Sequence, residues 1–449
     1  MIDLDSLVDV KRGIQKKRIF VDRELYELEQ ARIFARAWQF LTHECLIPNI
    51  GDYATAKMGE DEVLVVRQRD RTIRAFLNVC SHRGARVCAA EAGNARGFTC
   101  PYHGWGYGLD GALANLPFEK DAYYSRLDKL QHGLKPLAKI ESYHGFVYGC
   151  FDPHAPSFRE YLGDAAYYLD TLLGVPGGLE LIGPPSRSLL KCNWKTPAEN
   201  FVGDMYHVGW THAGSMSVIA QGPGRGLIGN PPLPLPAAQI GMQFTSQRGH
   251  GASVTYGGTD VLCPAEALLD LRAWQAQRQR VLRKTLSAER VNLYASTWNM
   301  TIFPNNTFLW GPNTFKVWAP RGPEAIECFT WVLAETEMPH ALKAAISHQA
   351  NATFGTAGIL ESEDSDNMES MTLNSRGFMS RQLSLNAQMG RGNEREHPEY
   401  PGLISDSNIN EMSYRGFYRA YREMLKADSW AQMNCATQAW KRELLEGGA

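Results

Sequence analysis

Hydrophobic and polar positions fall into two regimes along this chain. Over residues 22–40, Leu25, Leu28, Ile33, Phe34 and Trp38 recur at close to helical spacing behind a capping Asp22, and they predict one amphipathic helix packed on a core. From residue 52 the pattern shortens to β-rich runs, DYATAKM, EVLVVRQ and TIRAFLNV, parted by MGEDE and RQRDR turns. These predict antiparallel sheet. GYGLDGAL reads as a hairpin turning at Leu109, Asp110 and Gly111, and HGFVYGCFD as a closing strand, so residues 38–157 make a small all-β module inserted after a helix.

Beyond it the periods mix. Residues 158–175, 264–287, 339–354, 414–424 and 430–445 predict helices, and 187–195 a strand that runs into a helix. NMTIFPNNTFLWGP and TFKVWAPRGPEAIECFTWVLAE each predict two strands about a turn, while residues 218–258, rich in Gly and Pro, read as a long loop. The expected fold class is α+β, with the all-β module inserted in a mixed domain whose central antiparallel sheet is flanked by helices.

Composition adds bounds more than detail. A chain of 449 residues suits about two domains. Its formal net charge of −2 leaves no surplus of cations for phosphates, so neither nucleic acid nor an anionic membrane is an expected partner. The start, MIDLDSLVDVKRG, has neither a basic nor an apolar leader region, and no run approaches ~18 uninterrupted apolar residues, so a cytoplasmic protein is expected. Nine scattered cysteines without a framework suit reduced thiols.

Chemistry concentrates in two places. Cys80-x-His82 and Cys100-x-x-His103, with seventeen residues between, supply two thiolates and two imidazoles. That is too little sulfur for an all-thiolate cluster, but it suits a two-iron two-sulfur centre of the Rieske kind, with both thiolates on one iron and both imidazoles on the other. Gly84 and Gly104 allow each loop to turn tightly. A structural zinc site is the alternative, against which stands the one-residue gap in Cys80-x-His82. The second place is residues 198–212, AENFVGDMYHVGWTH. On a helix Asn200, Asp204 and His207 would share a face, whereas His212 would fall about 140° from His207, so the imidazoles converge only if the helix widens or breaks near Gly209. Two His and one carboxylate suit non-haem Fe(II) with positions open for dioxygen. The acidic run ESEDSDNME offers Glu361, Glu363, Asp364, Asp366 and Glu369, most of them read as a solvated loop or helix start.

The cysteine–histidine stretch resembles the Rieske motif of aromatic-ring-hydroxylating oxygenases; Ala85 and Pro101 stand near where respiratory Rieske proteins carry two further cysteines. With ENFVGDMYHVGWTH, ESEDSDNME, FLTHECLIP, SYHGFVYGCFD, FPNN, FKVW and SYRGFYRAY, the resemblance extends over almost the whole chain to large subunits of the naphthalene-dioxygenase type. It implies a Rieske cluster on Cys80, His82, Cys100 and His103, and a mononuclear non-haem Fe(II) on His207, His212 and Asp364, the last through both oxygens. It implies a pocket of Phe201, Val208, Thr297, Asn299, Leu309, Phe354 and Leu360. Those relatives have His where Thr297 stands and Trp where Leu360 stands, so a roomier pocket is expected. Asp204 would bridge His207 of one subunit and His103 of the next, with Asn200 beside it.

Further implied are a catalytic domain of residues 1–37 and 158–449, a small β subunit in an α3β3 hexamer, and a ferredoxin and NADH-dependent reductase as electron donors. The reaction would be cis-dihydroxylation of an uncharged aromatic hydrocarbon. Three rivals stand beside it: a monooxygenase, demethylase or salicylate-type hydroxylase on the same metals, a bare electron carrier that leaves residues 158–449 without a role, and a zinc-stabilised binding module.

Overall fold

The computed structural model describes residues 2–221 and 241–445. The chain divides into two compact units, Phe34–Phe158 and, formed from both ends of the chain, Met1–Ile33 with Arg159–Ala449.

In the smaller unit, strands Ile73–Leu77, Asp61–Arg67, Asp52–Met58 and Ala92–Asn94 pair antiparallel in that order. A second sheet joins Lys139–Tyr143, Phe146–Cys150 and Gln39–His43, and a third, Leu113–Asn115, Gly106–Tyr107 and Phe98–Thr99. The unbroken apolar run Val63 to Val66 is explained by two cores. Val63 and Val65 enter one with Leu41, Ile47 and Val147, while Leu64 and Val66 enter the other with Phe76, Cys80, Cys100 and Trp105. Burial of both faces removes the need for polar alternation. It also seats the two motif cysteines in the second core.

The larger unit is built on one eight-stranded antiparallel sheet, in the order Leu179–Leu190, Ile326–Glu335, Thr314–Pro320, Asn306–Trp310, Ser296–Ile302, Gly251–Gly258, Gly241–Thr245 and Leu403–Ser405. Helix Lys195–Phe201 packs on its middle, Met412–Lys426 on its glycine-rich strands, and His340–Phe354 on Ile326–Glu335. The start of the first of these helices is pinned from inside. Buried Glu29 accepts from Trp194 Nε1 (2.8 Å), Lys195 Nζ (2.6 Å) and the Tyr421 hydroxyl (2.5 Å), so an otherwise costly buried carboxylate has three donors.

Two expectations need correction. The helix expected over 22–40 covers only Arg23–Glu29, passes through a wide turn at Gln30–Phe34, and gives way to strand Gln39–His43. Asp22 does cap it, accepting from Leu25 N at 3.0 Å. Pairing with Phe146–Cys150, far along the chain, recruits the end of the pattern into sheet. The loop expected over 218–258 contains two strands, Gly241–Thr245 and Gly251–Gly258, with residues 222–240 outside the described part. Glycine hid them. A Cβ at Gly241 would stand 1.9 Å from the Val254 carbonyl oxygen, so here glycine permits close strand approach where sequence suggests a turn.

Candidate active site

Two loops of the smaller unit repeat one backbone design. Cys80 N donates to Ala85 O (2.8 Å) and Gly84 N to Cys80 O (2.9 Å); Cys100 N donates to Trp105 O (2.8 Å) and Gly104 N to Cys100 O (3.0 Å). Gly84 and Gly104 both close their turns at positive φ, 72° and 74°. The cysteines lie buried, whereas His103 is exposed and His82 half-buried, their rings 4.5 Å apart. Trp105 stacks on His82 at 4.9 Å, and the buried Nδ1 of His82 has no hydrogen-bond partner among the described residues. An orphaned imidazole nitrogen beside two buried thiols fits a metal cluster held from two sides. Among the described residues, only His207, His212 and Asp364 gather three such ligating groups closely enough for one ion.

The Tyr107 hydroxyl stands 3.2 Å from Cys80 Sγ and accepts from Ser81 N at 3.1 Å. Burial and the neighbouring sulfur push its pKa up, so the phenol keeps the proton it can donate. Hydrogen bonds to cluster sulfurs stabilise the reduced form. Tyr107→Phe is expected to lower the cluster potential by on the order of 60 mV, the one-electron equivalent of a tenfold shift. Redox titration followed by electron paramagnetic resonance measures it, and an unmoved potential would contradict it.

In the larger unit, Asn200, Asp204 and His207 do not share a helical face as expected. Helix Lys195–Phe201 ends, and the next, Val208–Thr211, begins after His207. Asp204 makes the break. Its Oδ1 accepts from Tyr206 N (2.9 Å) and His207 N (3.1 Å), taking over donors that would otherwise serve a helix. Buried Gln243, on a strand that sequence reading missed, donates to the freed Gly203 carbonyl at 2.5 Å. The break turns both imidazoles toward one point. His207 Nε2 and His212 Nε2 each lie 3.3 Å from Asp364 Oδ1, and the three ligating atoms sit within 4.8 Å of one another.

Asp364 belongs to helix Ile359–Leu373, where Leu360, Glu361, Asp364, Met368 and Thr372 form the buried face. Most of the acidic run was expected to be solvated; Glu361 is buried too, and Glu363 has a partner. Its Oε2 lies 2.9 Å from His212 Nδ1, and its Oε1 accepts from Ser215 Oγ at 2.6 Å. On the other imidazole, Asp204 Oδ2 stands 3.3 Å from His207 Nδ1, and Asn200 Nδ2 is 3.5 Å from the same atom. Each histidine thus has a carboxylate behind it, which fixes the tautomer with Nε2 free to ligate. Glu363 was missed because its partner is 151 residues away.

Charge at the three groups is mutually sustained. Burial opposes protonation of His207, but Asp204 and Asp364 outweigh it and hold its pKa up to about 10. Burial works against ionised Asp364 too, but His207 and His212 bring it down to about 2. A buried carboxylate between two imidazoles therefore demands a cation, and a divalent metal meets that demand. Without metal, the His207 contribution to stability is complete below the free imidazole pKa of ~6.5 and is lost as pH rises through about 10. The Asp364 contribution is present above ~4 and lost as pH falls toward 2. Apo protein is expected to lose thermal stability from pH ~6.5 upward, while its ferrous affinity rises over the same range as the imidazoles shed protons. Calorimetry and chelator competition across that range check the opposed slopes; parallel slopes would contradict them.

Beside the trio lies a cavity of about 210 Å³. Phe201, Val208, Thr297, Asn299, Leu309, Phe354 and Leu360 all line it, joined by Met205, Met216, Val261, Leu262 and Pro312. Thr297 Oγ1 donates to Gly257 O at 3.1 Å. Among the described residues no Lys or Arg reaches the wall.

Residues 37–138 match the Rieske [2Fe-2S] domain and residues 158–427 the catalytic domain of the ring hydroxylating alpha subunit. The large oxygenase component of the naphthalene 1,2-dioxygenase system of Pseudomonas aeruginosa is 48% identical over 440 residues, 98% of this chain and 97% of that one. The corresponding component of the 2,4-dinitrotoluene dioxygenase system of Burkholderia sp. (strain RASC) is 44% identical over 445 residues, 99% and 98% of the two chains. A solved naphthalene 1,2-dioxygenase with indole in its active site superposes with a TM-score of 0.93 at 45% identity, covering 98% of each chain. No described helix is long and apolar enough to cross a membrane. With a cluster-binding unit and a mononuclear iron site joined in one polypeptide, the chain belongs to the alpha subunits of the Rieske ring-hydroxylating dioxygenases, oxidoreductases whose cofactors are a [2Fe–2S] cluster and a non-haem iron.

Proposed function

We propose that this subunit cis-dihydroxylates an uncharged fused-ring aromatic hydrocarbon, of the naphthalene or phenanthrene kind, with dioxygen. Electrons come from NADH through a reductase and a ferredoxin in the cytoplasm, and the subunit works in an α3β3 hexamer with a small β subunit. The cavity carries this reading. An apolar cavity of about 150 Å³ takes up benzene, so about 210 Å³ against the trio has room for a further ring. A carboxylated substrate would need a cation to offset its desolvation, and the charged groups on this wall are Asp204, Asp364 and the two imidazoles that Asp364 already engages.

In this reading His207, His212 and Asp364 hold the iron, and Cys80, His82, Cys100 and His103 the cluster. Bound there, the iron supplies activation of dioxygen and the cluster supplies electrons singly. The protein's own work is positional. Phe201, Val208, Leu309, Phe354 and Leu360 exclude water and present a ring edge to the trio; Asp204, with Asn200 beside it, orients His207 and faces the neighbouring subunit; residues 1–37 and 158–449 act as one catalytic domain.

Product identification tests the proposal, using purified protein with reductase, ferredoxin, NADH and a panel of aromatic compounds. A cis-dihydrodiol from naphthalene or phenanthrene is expected. A phenol or aldehyde as sole product would make the enzyme a monooxygenase, and turnover of salicylate without naphthalene or phenanthrene would overturn the substrate class.

A further inference from the structure

Lys316 is wholly buried on strand Thr314–Pro320, yet it lies outside the cavity lining and has no part in the proposed chemistry. Its ammonium donates to Glu361 Oε2 at 2.5 Å and to the Phe354 carbonyl at 2.9 Å. It also lies 6.0 Å from the centroid of the Phe354 ring and 5.4 Å from that of Trp318. These contacts fall on the two sides of one turn. Phe354 ends helix His340–Phe354, where a carbonyl lacks a helical partner and a cation is welcome. Glu361 stands in the first turn of helix Ile359–Leu373, where an anion is welcome. The turn between is tight, since a Cβ at Gly358 would stand 2.3 Å from the Thr353 carbonyl oxygen. Phe354 and Leu360 wall the cavity from this segment, and Asp364 follows Glu361 by one helical turn.

We propose that Lys316 is a positioning residue for both the iron and the substrate: by clamping the Phe354 carbonyl to Glu361 it fixes where Asp364 meets the two imidazoles and where the Phe354 ring meets the substrate. A buried ion pair is weak support for stability, because a well-packed apolar pair of similar volume often serves as well. Geometry is what the pair supplies and an apolar pair does not. From its strand Lys316 fixes a backbone oxygen and a carboxylate, and through them the segment that carries both the cavity-wall residues Phe354 and Leu360 and the candidate ligand Asp364.

The inference rests on the reading of Asp364 as an iron ligand, so the experiment separates the two. Lys316→Met alone would strand Glu361 as an unpaired buried anion and could unfold the domain. The decisive variant is therefore K316M with E361M, compared with Asp364→Ala and the native chain, each as holoenzyme. Chelator competition reads ferrous affinity at the mononuclear site, paramagnetic resonance reads the cluster, and phenanthrene with reductase, ferredoxin and NADH reads the ratio of regioisomeric products. The double variant is expected to retain its cluster, to bind ferrous ion ~10–100-fold more weakly, and to shift the product ratio. Unchanged affinity with an unchanged product ratio would overturn the role of Lys316, as would joint loss of cluster and iron, which marks a general role in folding. If Asp364→Ala loses its iron while the double variant holds it, only the clamp is refuted. If Asp364→Ala keeps its iron, the ligand assignment fails and the clamp with it.

Discussion

An Asp364→Ala protein is expected to retain its cluster iron and acid-labile sulfide while losing the mononuclear iron and with it all measurable turnover. The asymmetry follows from where the groups lie: Cys80, His82, Cys100 and His103 sit in the smaller unit, Asp364 in the larger. Within the larger unit, Asp364 Oδ1 is the atom on which His207 Nε2 and His212 Nε2 converge, both at 3.3 Å. Its removal leaves two neutral donors and no anion to balance a dication. Glu363 cannot substitute. It is oriented to His212 Nδ1 and Ser215 Oγ, behind the imidazole and not in front of it. Because Asp364 is one of the two carboxylates that keep His207 protonated in the absence of metal, with Asp204 the other, its loss should also reduce the pH-dependent stability of the apo variant without abolishing it. Iron and sulfide analysis of anaerobic protein, with paramagnetic resonance of the dithionite-reduced cluster, checks the prediction. An Asp364→Ala chain that carries three irons at full occupancy would contradict it.

What could be read from the sequence divides along a physical line. The cluster loops were legible because each is local: Cys, His and Gly lie within five residues, and the backbone bonds that shape the loop close between Cys80 and Ala85 or between Cys100 and Trp105. The trio was half legible. His207 and His212 stood out by type and spacing, but the break that brings them together is held by Gln243, on a strand that glycine had disguised, and by Asp204 acting as a cap where a helical face was expected. In the acidic run, burial of Glu361 and the engagement of Glu363 depend on Lys316 and His212, which are 45 and 151 residues away. Composition marks such a run as solvated, and only the fold says which side chains have cations waiting inside. The strand Gln39–His43 shows the same limit: its apolar spacing continues a helix, and its partner strand Phe146–Cys150, far along the chain, decides otherwise.

Asp204→Asn is expected to load both metals when iron is supplied and yet to lose turnover by ~100-fold or more. The substitution is nearly isosteric. The amide oxygen can keep the place of Oδ1, accepting from Tyr206 N and His207 N, so the break between the helices survives. What changes is the second atom. Oδ2, 3.3 Å from His207 Nδ1, accepts the ring proton there, and an amide NH₂ in its place can only donate. Two donors then face one another, and the imidazole is pushed toward the tautomer that puts its proton on Nε2, the nitrogen that faces Asp364. Bound metal can force the proper tautomer back, which is why iron content should hold while the orientation and basicity of His207 suffer. Asp204 also differs in exposure, its side chain 40% accessible against 5% for Asp364, as befits a group proposed to reach toward a neighbouring subunit. Loss of its acceptor should therefore slow transfer from the reduced cluster. Rapid mixing of reduced protein, substrate and dioxygen reads that step directly as reoxidation of the cluster, and steady-state turnover reads the whole. Slow reoxidation with normal metal content is the expected pattern. A variant with substantial steady-state activity would show that His207 needs no carboxylate behind it and that Asp204 is only the cap that breaks the helix.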